Sequence, residues 1–395
     1  MPTSHQDLSV PLQVDFVQID DARVNGSGVL TSSPSGECRL DTELQFPVLQ
    51  TRTENTSVKW LSGRGNAVDF AIRGRVAWSG GRQHFEVTEM HWGTSSPDIP
   101  YKSVVARYEN LSILNSYRFE DGAARDATEL LSLPALDGSP EMSAAVGAHS
   151  DLIRISAATP ERLEAFETHL RSFQDLITLA ADLPSARISL AARTDDDREV
   201  EIIGRSLPSA QQPPLNNPVD ALIRFGSSQL QEMISEWWRV RRALRPITQV
   251  YAGVMYQPGY VESDIISLTS IAQRLARLQL GQADANLRTC LQTLVGNLGD
   301  ETMRRAGIDP IEWEQHTMWA RNDISHEGAP NDEAGERYVT PAESKAVRDA
   351  THMIVGLNLA SMLGLHPNAT RLAAQCLETK YGIRHGSTSI FAAPH

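Results

Sequence analysis

Three residues near the end of one predicted helix carry the side chains that phosphoryl chemistry needs. They are Arg321, Asn322 and His326, within the sequence ARNDISHEG. An imidazole has an ordinary pKa of about 6.5, so His326 could act as a general acid or base near neutral pH. The guanidinium of Arg321 is a fork of donors that matches phosphate oxygens. Asn322 could orient a phosphate or the imidazole by hydrogen bonding.

The spacing of Arg321 and His326 is weak evidence by itself. A chain with 32 arginines and 11 histidines should contain about one such pair by chance. Arg162 and His169 form a comparable pair, which we interpret as an ordinary solvated pair. On a regular helix, a five-residue offset rotates the second side chain by about 140°. Arg321 and His326 therefore need an irregular last turn, the reach of the long arginine side chain, or a second subunit to meet.

The sequence around the motif predicts a bundle of four or five helices. Asp309 to Glu312, with sequence DPIE, combines an N-cap, a proline at the first helical position and a glutamate that completes a capping box. Gly328 and Pro330 end that helix, and the same start signal returns at Thr340 to Glu343. Apolar residues at helical spacing predict further helices within 225–244, 264–281, 285–299 and 341–364.

The first two hundred residues have the period of strands instead. Leu40, Thr42, Leu44 and Phe46 alternate with polar residues, and Gly-rich turns separate this run from similar ones. One helix interrupts the strands: Thr159 is predicted as its N-cap and Pro160 as its first residue. Six apolar residues form its buried stripe: Leu163, Phe166, Leu170, Phe173, Ile177 and Ala181.

These patterns predict an α+β protein with four segments. Residues 1–205 form a β-rich sandwich or barrel-like domain with one main helix, and 206–218 form a proline-rich linker. Residues 219–380 form an all-α bundle, and 381–395 form a tail. The Gly63–Gly65 pair lies in a hairpin-like turn with no helix after it, so it is not a nucleotide-binding fingerprint.

The composition is typical of a cytoplasmic globular protein. No apolar stretch has the roughly 18 residues that a membrane span needs, and the first ten residues do not resemble a signal peptide. The three cysteines are far apart and are predicted to be buried free thiols. A net charge of −13 argues against a protein that coats nucleic acid through bulk charge.

A basic run in the first predicted helix of the bundle is a weaker candidate for RNA binding. It comprises Arg239, Arg241, Arg242 and Arg245. On a long amphipathic helix, the commoner reason for such a run is a charged outer face. The neighbouring Trp237 and Trp238 are predicted to belong to a core or a dimer interface rather than to stack on bases.

The C-terminal half resembles a HEPN domain, a helical bundle marked by an arginine, a polar residue after it and a histidine four to six residues beyond. Arg321, Asn322 and His326 fit that pattern. The whole arrangement is similar to the Apea-like HEPN proteins of bacterial anti-phage defence. One departure is that Gln273 stands where such domains often carry a glutamate.

The resemblance implies a metal-independent endoribonuclease that uses no cofactor and acts in abortive infection. The 2′-hydroxyl of the RNA would attack the adjacent phosphate and leave 2′,3′-cyclic phosphate ends. It also implies a homodimer or higher oligomer, an RNA substrate such as tRNA, and an N-terminal domain that senses a phage-derived trigger.

Two alternatives remain open at this level. In the first, Arg321 and His326 only cap the end of the helix, where cations interact favourably with its dipole, and the chain is a non-catalytic adapter that binds RNA or another ligand. In the second, a metal-dependent hydrolase uses His316, Asp323, His326 and Glu327, although no recognised ligand spacing links them.

Overall fold

The computed structural model divides into two compact units. It describes residues 11–32, 38–43, 59–79, 82–111, 113, 130–133, 135–136, 141–147, 152–204, 221–223, 230–256, 258–325 and 340–381. The β-rich unit comprises Met1–Tyr108, Ser132–Leu170 and Arg187–Leu207. The helical unit comprises Glu109–Leu131, Arg171–Ala186 and Pro208–His395. The predicted linker, 206–218, lies outside the described residues.

The described strands form one sheet, in the order β3-β2-β1-β4-β5-β6-β12-β11-β7-β10-β9-β8. Their bounds are β1 Leu12–Gln18, β2 Asn25–Ser32, β3 Cys38–Thr42, β4 Lys59–Gly65, β5 Val68–Ser79, β6 Arg82–Trp92, β7 Tyr101–Tyr108, β8 Leu130–Leu133, β9 Met142–Gly147, β10 Leu152–Glu161, β11 Arg187–Thr194 and β12 Glu199–Ile203. A further antiparallel pairing joins β3 to β6, so the first six strands close into a barrel. The N-terminal strands therefore form a barrel rather than a two-sheet sandwich.

Alternation along these strands builds the barrel core. Leu44 and Phe46 of the predicted run lie outside the described residues, and Thr42 is half-buried. Leu40 of that run is fully buried, and so are Phe70, Ile72 and Phe85 of neighbouring strands. They pack in one cluster with other apolar side chains of the first six strands. The period-2 pattern therefore predicted which face is buried, because successive side chains of a strand point to opposite faces.

Gly63 serves close packing within strand β4 rather than a turn. A Cβ atom at this position would lie 2.1 Å from the carbonyl oxygen of Asp15 and 2.5 Å from Cζ of Phe70. The turn of this hairpin follows Gly65 and is made by Asn66 and Ala67, which both have positive φ angles. Gly63 is therefore a site where another backbone comes close.

The predicted start of the one interrupting helix is wrong. Strand β10 continues through Thr159 and Pro160 to Glu161, which pairs with Tyr101 of β7 after an irregularity in the register. Strand pairing thus outweighs the local capping signal. Helix α1 runs over Leu163–Ala181, and the six predicted stripe residues are all buried, so the period itself is confirmed.

The remaining described helices belong to the helical unit. They are α2 Leu230–Ala243, α3 Ile247–Tyr256, α4 Val261–Leu280, α5 Leu287–Leu298, α6 Asp300–Arg305, α7 Pro310–Ser325, α8 Pro341–Met362 and α9 Pro367–Tyr381. The sequence patterns predicted α2, α4, α5, α7 and α8 but not α3, α6 or α9. An α+β chain with a helical C-terminal region is confirmed.

Local signals fix several helix ends. Asp309 Oδ1 accepts hydrogen bonds from the backbone N–H groups of Ile311 and Glu312, as an N-cap should. Thr340 and Glu343 form the complete capping box that the sequence predicted for α8. Gly281 ends α4 in the left-handed conformation, with φ of 67°.

Indole groups connect the second half of α1 to α2 inside the helical unit. Trp237 is buried, and its Nε1 donates to the carbonyl oxygen of Ser172 at 2.8 Å. Trp238 packs edge-on against Phe173, with ring centroids 4.9 Å apart. Both tryptophans are therefore core residues, which confirms one of the two roles predicted for them.

Two further predictions concern the cysteines and the membrane. Cys38 and Cys290 are buried free thiols as predicted, whereas Cys376 is half-buried. Among the described helices, none is both long and apolar enough to cross a membrane.

Candidate functional site

The arginine–asparagine pair lies in the last turn of α7, a helix that is anchored deep in the helical unit. Trp313 of α7 is fully buried, and its Nε1 donates to Oγ1 of Thr351 on α8 at 3.1 Å. Helix α7 packs against α4, α5 and α8. This anchoring holds the end of α7, and with it Arg321 and Asn322, against a fixed framework.

Arg321 and Asn322 are both half-buried. Within the described residues, neither side chain has a hydrogen-bond or ion-pair partner. His326 lies outside the described residues, and the distance between it and Arg321 is therefore still a prediction. Gln273 is half-buried on α4, one of the helices that pack against α7.

Two of the four residues considered as metal ligands are described. His316 is buried with its ring edge-on to Trp319, at 5.0 Å between centroids, and Asp323 is half-buried. Glu327 and His326 lie outside the described residues. Among the residues that are described, no group of three or more metal-binding side chains comes together.

The four arginines proposed for RNA binding do not share one surface. Arg241 is buried and donates to Oδ2 of Asp175 at 3.2 Å, while Arg239 bonds the carboxylate of Glu236. Burial raises the pKa of Asp175 to about 6, against the opposing effect of Arg241. Arg242 and Arg245 are exposed. Arg241 thus serves the interior of the helical unit.

A second polar centre, which the sequence patterns did not single out, surrounds the buried carboxylate of Asp182. Its Oδ1 lies 2.8 Å from Nε2 of His352 on α8. Its Oδ2 accepts from Nζ of Lys380 at 2.5 Å and from the hydroxyl of Tyr381 at 2.9 Å, both on α9. One side chain therefore joins the end of α1 to α8 and α9, and we call these four residues the Asp182 cluster.

The charge of Asp182 fixes the tautomer of His352. Burial alone would raise the pKa of the Asp182 carboxyl, but His352 and Lys380 outweigh it and lower that pKa to about 2. The carboxylate is therefore ionised at neutral pH and can only accept hydrogen bonds, so Nε2 of His352 carries the hydrogen. Nδ1 of His352 has no hydrogen bond to any described residue.

Tyr251 of α3 completes the surroundings of His352. The two rings stack at 4.8 Å between centroids, and the Tyr251 hydroxyl lies 3.2 Å from Nε2. Burial and the negative charge of Asp182 raise the pKa of Tyr251 well above its ordinary value, so the phenol stays protonated. Gly356 leaves room for this hydroxyl, because a Cβ atom there would lie 2.5 Å from it.

Asp182 also has an unusual backbone conformation. Its φ angle is 50°, in the left-handed region that residues with a Cβ atom rarely adopt. Such a conformation costs on the order of 1 kcal/mol and persists where surrounding contacts hold it. The three partners of the carboxylate supply those contacts.

Two sequence signals could have pointed to this cluster. His352 interrupts a run of apolar residues along α8, and a histidine in such a run needs a buried partner. Asp182 directly follows the last turn of α1, where a glycine or asparagine is usual. Neither signal names the partner, because the two residues are 170 positions apart.

The first prediction concerns the Asp182 carboxylate. Asp182→Asn removes the charge that His352 and Lys380 share, and breaking a buried pair of this kind should lower the free energy of unfolding by about 3 kcal/mol. Urea unfolding followed by circular dichroism measures the loss. Glu301→Gln, which breaks exposed ion pairs with Arg304 and Arg305, is the control and should cause no measurable change. Equal effects of the two substitutions would contradict a central role for Asp182.

The second prediction compares two helical glycines. Gly356→Ala forces the Tyr251 hydroxyl away from His352, and we expect it to lower the free energy of unfolding by about 1–3 kcal/mol. Gly296→Ala on α5 meets nothing within 4 Å and should instead stabilise the protein by up to about 1 kcal/mol, through helix propensity. Thermal unfolding of both variants checks the opposite signs. A stabilising Gly356→Ala would show that Tyr251 is not packed as described.

Comparison with known proteins adds nothing to this geometry. The chain was compared with protein-family models, with curated proteins and with solved structures, and no match was found in any of the three.

Proposed function

We propose that the chain is a metal-independent endoribonuclease of the HEPN type that acts in anti-phage defence, with Arg321, Asn322 and His326 as its catalytic residues. The observation that carries the proposal is the placement of Arg321 and Asn322. They are half-buried, unpartnered within the described residues, and lie in the last turn of a helix anchored by Trp313. His326 follows four residues after Asn322 in the sequence.

Each residue has a defined part in the proposed reaction. His326 takes the proton of the RNA 2′-hydroxyl, which then attacks the adjacent phosphorus atom. The bond from phosphorus to the 5′-oxygen breaks, this oxygen gains a proton, and a 2′,3′-cyclic phosphate remains. Arg321 neutralises the charge that grows on the phosphate oxygens, and Asn322 orients the phosphate or the imidazole.

A single arginine and histidine make a small site, and the proposal therefore includes a homodimer. An offset of five residues places Arg321 and His326 on different faces of a regular helix. Helix α7 extends to Ser325, so the helical geometry holds through the residue before His326. A second copy of the chain that faces the first could bring Arg321 of one protomer to His326 of the other.

The β-rich unit takes the role of sensor in this proposal. A phage-derived component that binds there would release or trigger cleavage of RNA, with tRNA as one candidate substrate. The competing proposal is a non-catalytic adapter of the same type, in which Arg321 and His326 affect only stability. Measurements of RNA cleavage distinguish these two proposals.

The third prediction tests cleavage directly. Purified protein incubated with total RNA in excess EDTA, with and without lysate of phage-infected cells, should produce fragments that end in 2′,3′-cyclic phosphate. His326→Ala should lower the rate by about 100-fold to 10,000-fold, since general acid–base catalysis contributes this much. Arg321→Ala should lower the rate as well.

The control for this experiment is Arg162→Ala. Arg162 is an exposed residue of the other arginine–histidine pair, and its loss should leave cleavage unchanged. Cleavage that EDTA abolishes, or that survives in His326→Ala, would overturn the proposed mechanism. Absence of cleavage under every condition would favour the adapter.

The fourth prediction tests the shared site. Arg321→Ala and His326→Ala proteins are unfolded together and refolded as a mixture, so that mixed dimers form. If each site combines Arg321 of one protomer with His326 of the other, a mixed dimer keeps one intact site and cleavage returns. If both residues come from one chain, every site in the mixture lacks one of them and cleavage does not return. Refolded wild-type protein serves as the reference for recovery.

A further inference from the structure

A cavity of about 150 Å³ lies beside the Asp182 cluster, entirely within the helical unit. Its apolar wall includes Pro184, Val254 and Leu268, and its polar wall includes Asp264, Arg348 and His352. A cavity of this volume can hold a compact organic molecule, as an engineered cavity of similar size holds benzene. Its polar wall distinguishes it from a dry packing defect.

Asp264 places a buried carboxylate in the wall of the cavity. The residue is only 4% exposed, and its Oδ1 accepts from the backbone N–H of Gly259 at 3.2 Å. Its Oδ2 has no hydrogen-bond partner among the described residues. A buried carboxylate oxygen left in this state costs free energy, about 1–3 kcal/mol or more for a charged group. Burial raises the pKa of Asp264 for the same reason.

Arg348 has a hydrogen-bond donor that no described residue uses. Arg348 donates from Nε and Nη2 to Oδ1 of Asp349, which leaves Nη1 without a partner among the described residues. Lys345 holds Oδ2 of Asp349 at 2.8 Å, so Asp349 itself is satisfied. The cavity therefore offers one anionic acceptor, the Asp264 carboxylate, and one cationic donor, the Arg348 guanidinium.

We propose that this cavity binds a small ligand that carries both an amino group and an acidic group, with the amino group on Asp264 and the acidic group at Arg348. An ammonium supplies a hydrogen-bond donor and a positive charge to the buried carboxylate of Asp264. A carboxylate or a phosphate accepts from the free donor of the Arg348 guanidinium. The apolar wall takes the carbon skeleton. This site is independent of RNA cleavage, and its test does not use that activity.

Binding is measured on the full-length protein by isothermal calorimetry and thermal unfolding. The probes are L-valine and phosphoethanolamine, which combine an amine with a carboxylate or with a phosphate and so distinguish the two acidic groups. Isobutylamine and isovalerate, the two halves of valine, report the amine and the acid separately. At least one of the two complete probes should bind and raise the unfolding temperature. Isobutylamine and isovalerate should each bind at least about tenfold more weakly than the complete probe.

Variants connect binding to the residues. Asp264→Asn keeps an acceptor for Gly259 but removes the negative charge that attracts the ammonium, and it should weaken binding about tenfold or more. Val254→Phe fills the cavity from its half-buried wall and should block binding while both polar groups remain. Glu301 has an exposed carboxylate on α6, and Glu301→Gln is the matched control. This variant should bind the probes as tightly as wild-type protein does.

The outcomes separate clearly. Circular dichroism of each variant establishes that it is folded, and Val254→Phe provides a test if Asp264→Asn does not fold. Failure of both complete probes to bind wild-type protein would overturn the proposal. Binding that is equal in wild type, Asp264→Asn and Val254→Phe would overturn it as well.

Discussion

A single buried carboxylate holds three parts of the helical unit together. Asp182 lies directly after α1, and its two oxygens bond His352 of α8 and Lys380 and Tyr381 of α9. A buried carboxylate is tolerated only where donors surround it, so each of these helices must arrive in the correct position for the others to be stable. The register of α8 and α9 relative to α1 is set in this way, and so is the imidazole tautomer of His352.

Features that depend on neighbours in sequence were predictable. Asp309, Thr340, Glu343 and Gly281 cap their helices as their local sequences indicate, because a cap uses donors only a few residues away. The alternation that buries Phe70 and Ile72 is equally local. Thr159 and Pro160 show the limit of local signals: they form a good helix start, yet β10 continues through them to Glu161, which pairs with Tyr101 of β7.

Features that depend on distant residues were not predictable. Arg241 belongs to a basic run in sequence, but its position on α2 turns it inward to Asp175, so charge pattern alone misassigned its surroundings. The sequence does not show that His352 and Asp264 are neighbours, and they become a candidate binding wall only when α4 and α8 pack together. For Arg321 and Asn322 the residue types can be read from the sequence, and the fold adds their half-buried position on an anchored helix.

The long-range contacts of Asp182 also constrain how the chain can be divided. A fragment that begins after the proline-rich segment contains α2 to α9 but lacks Asp182 and Ser172. His352 would then lose its carboxylate and Trp237 its carbonyl acceptor, each in a buried position. The helices near the C-terminus can form early from local contacts, but their polar centre closes only when residues 170 to 199 positions apart have met. The helical unit is therefore complete only when residues that precede the proline-rich segment are also present.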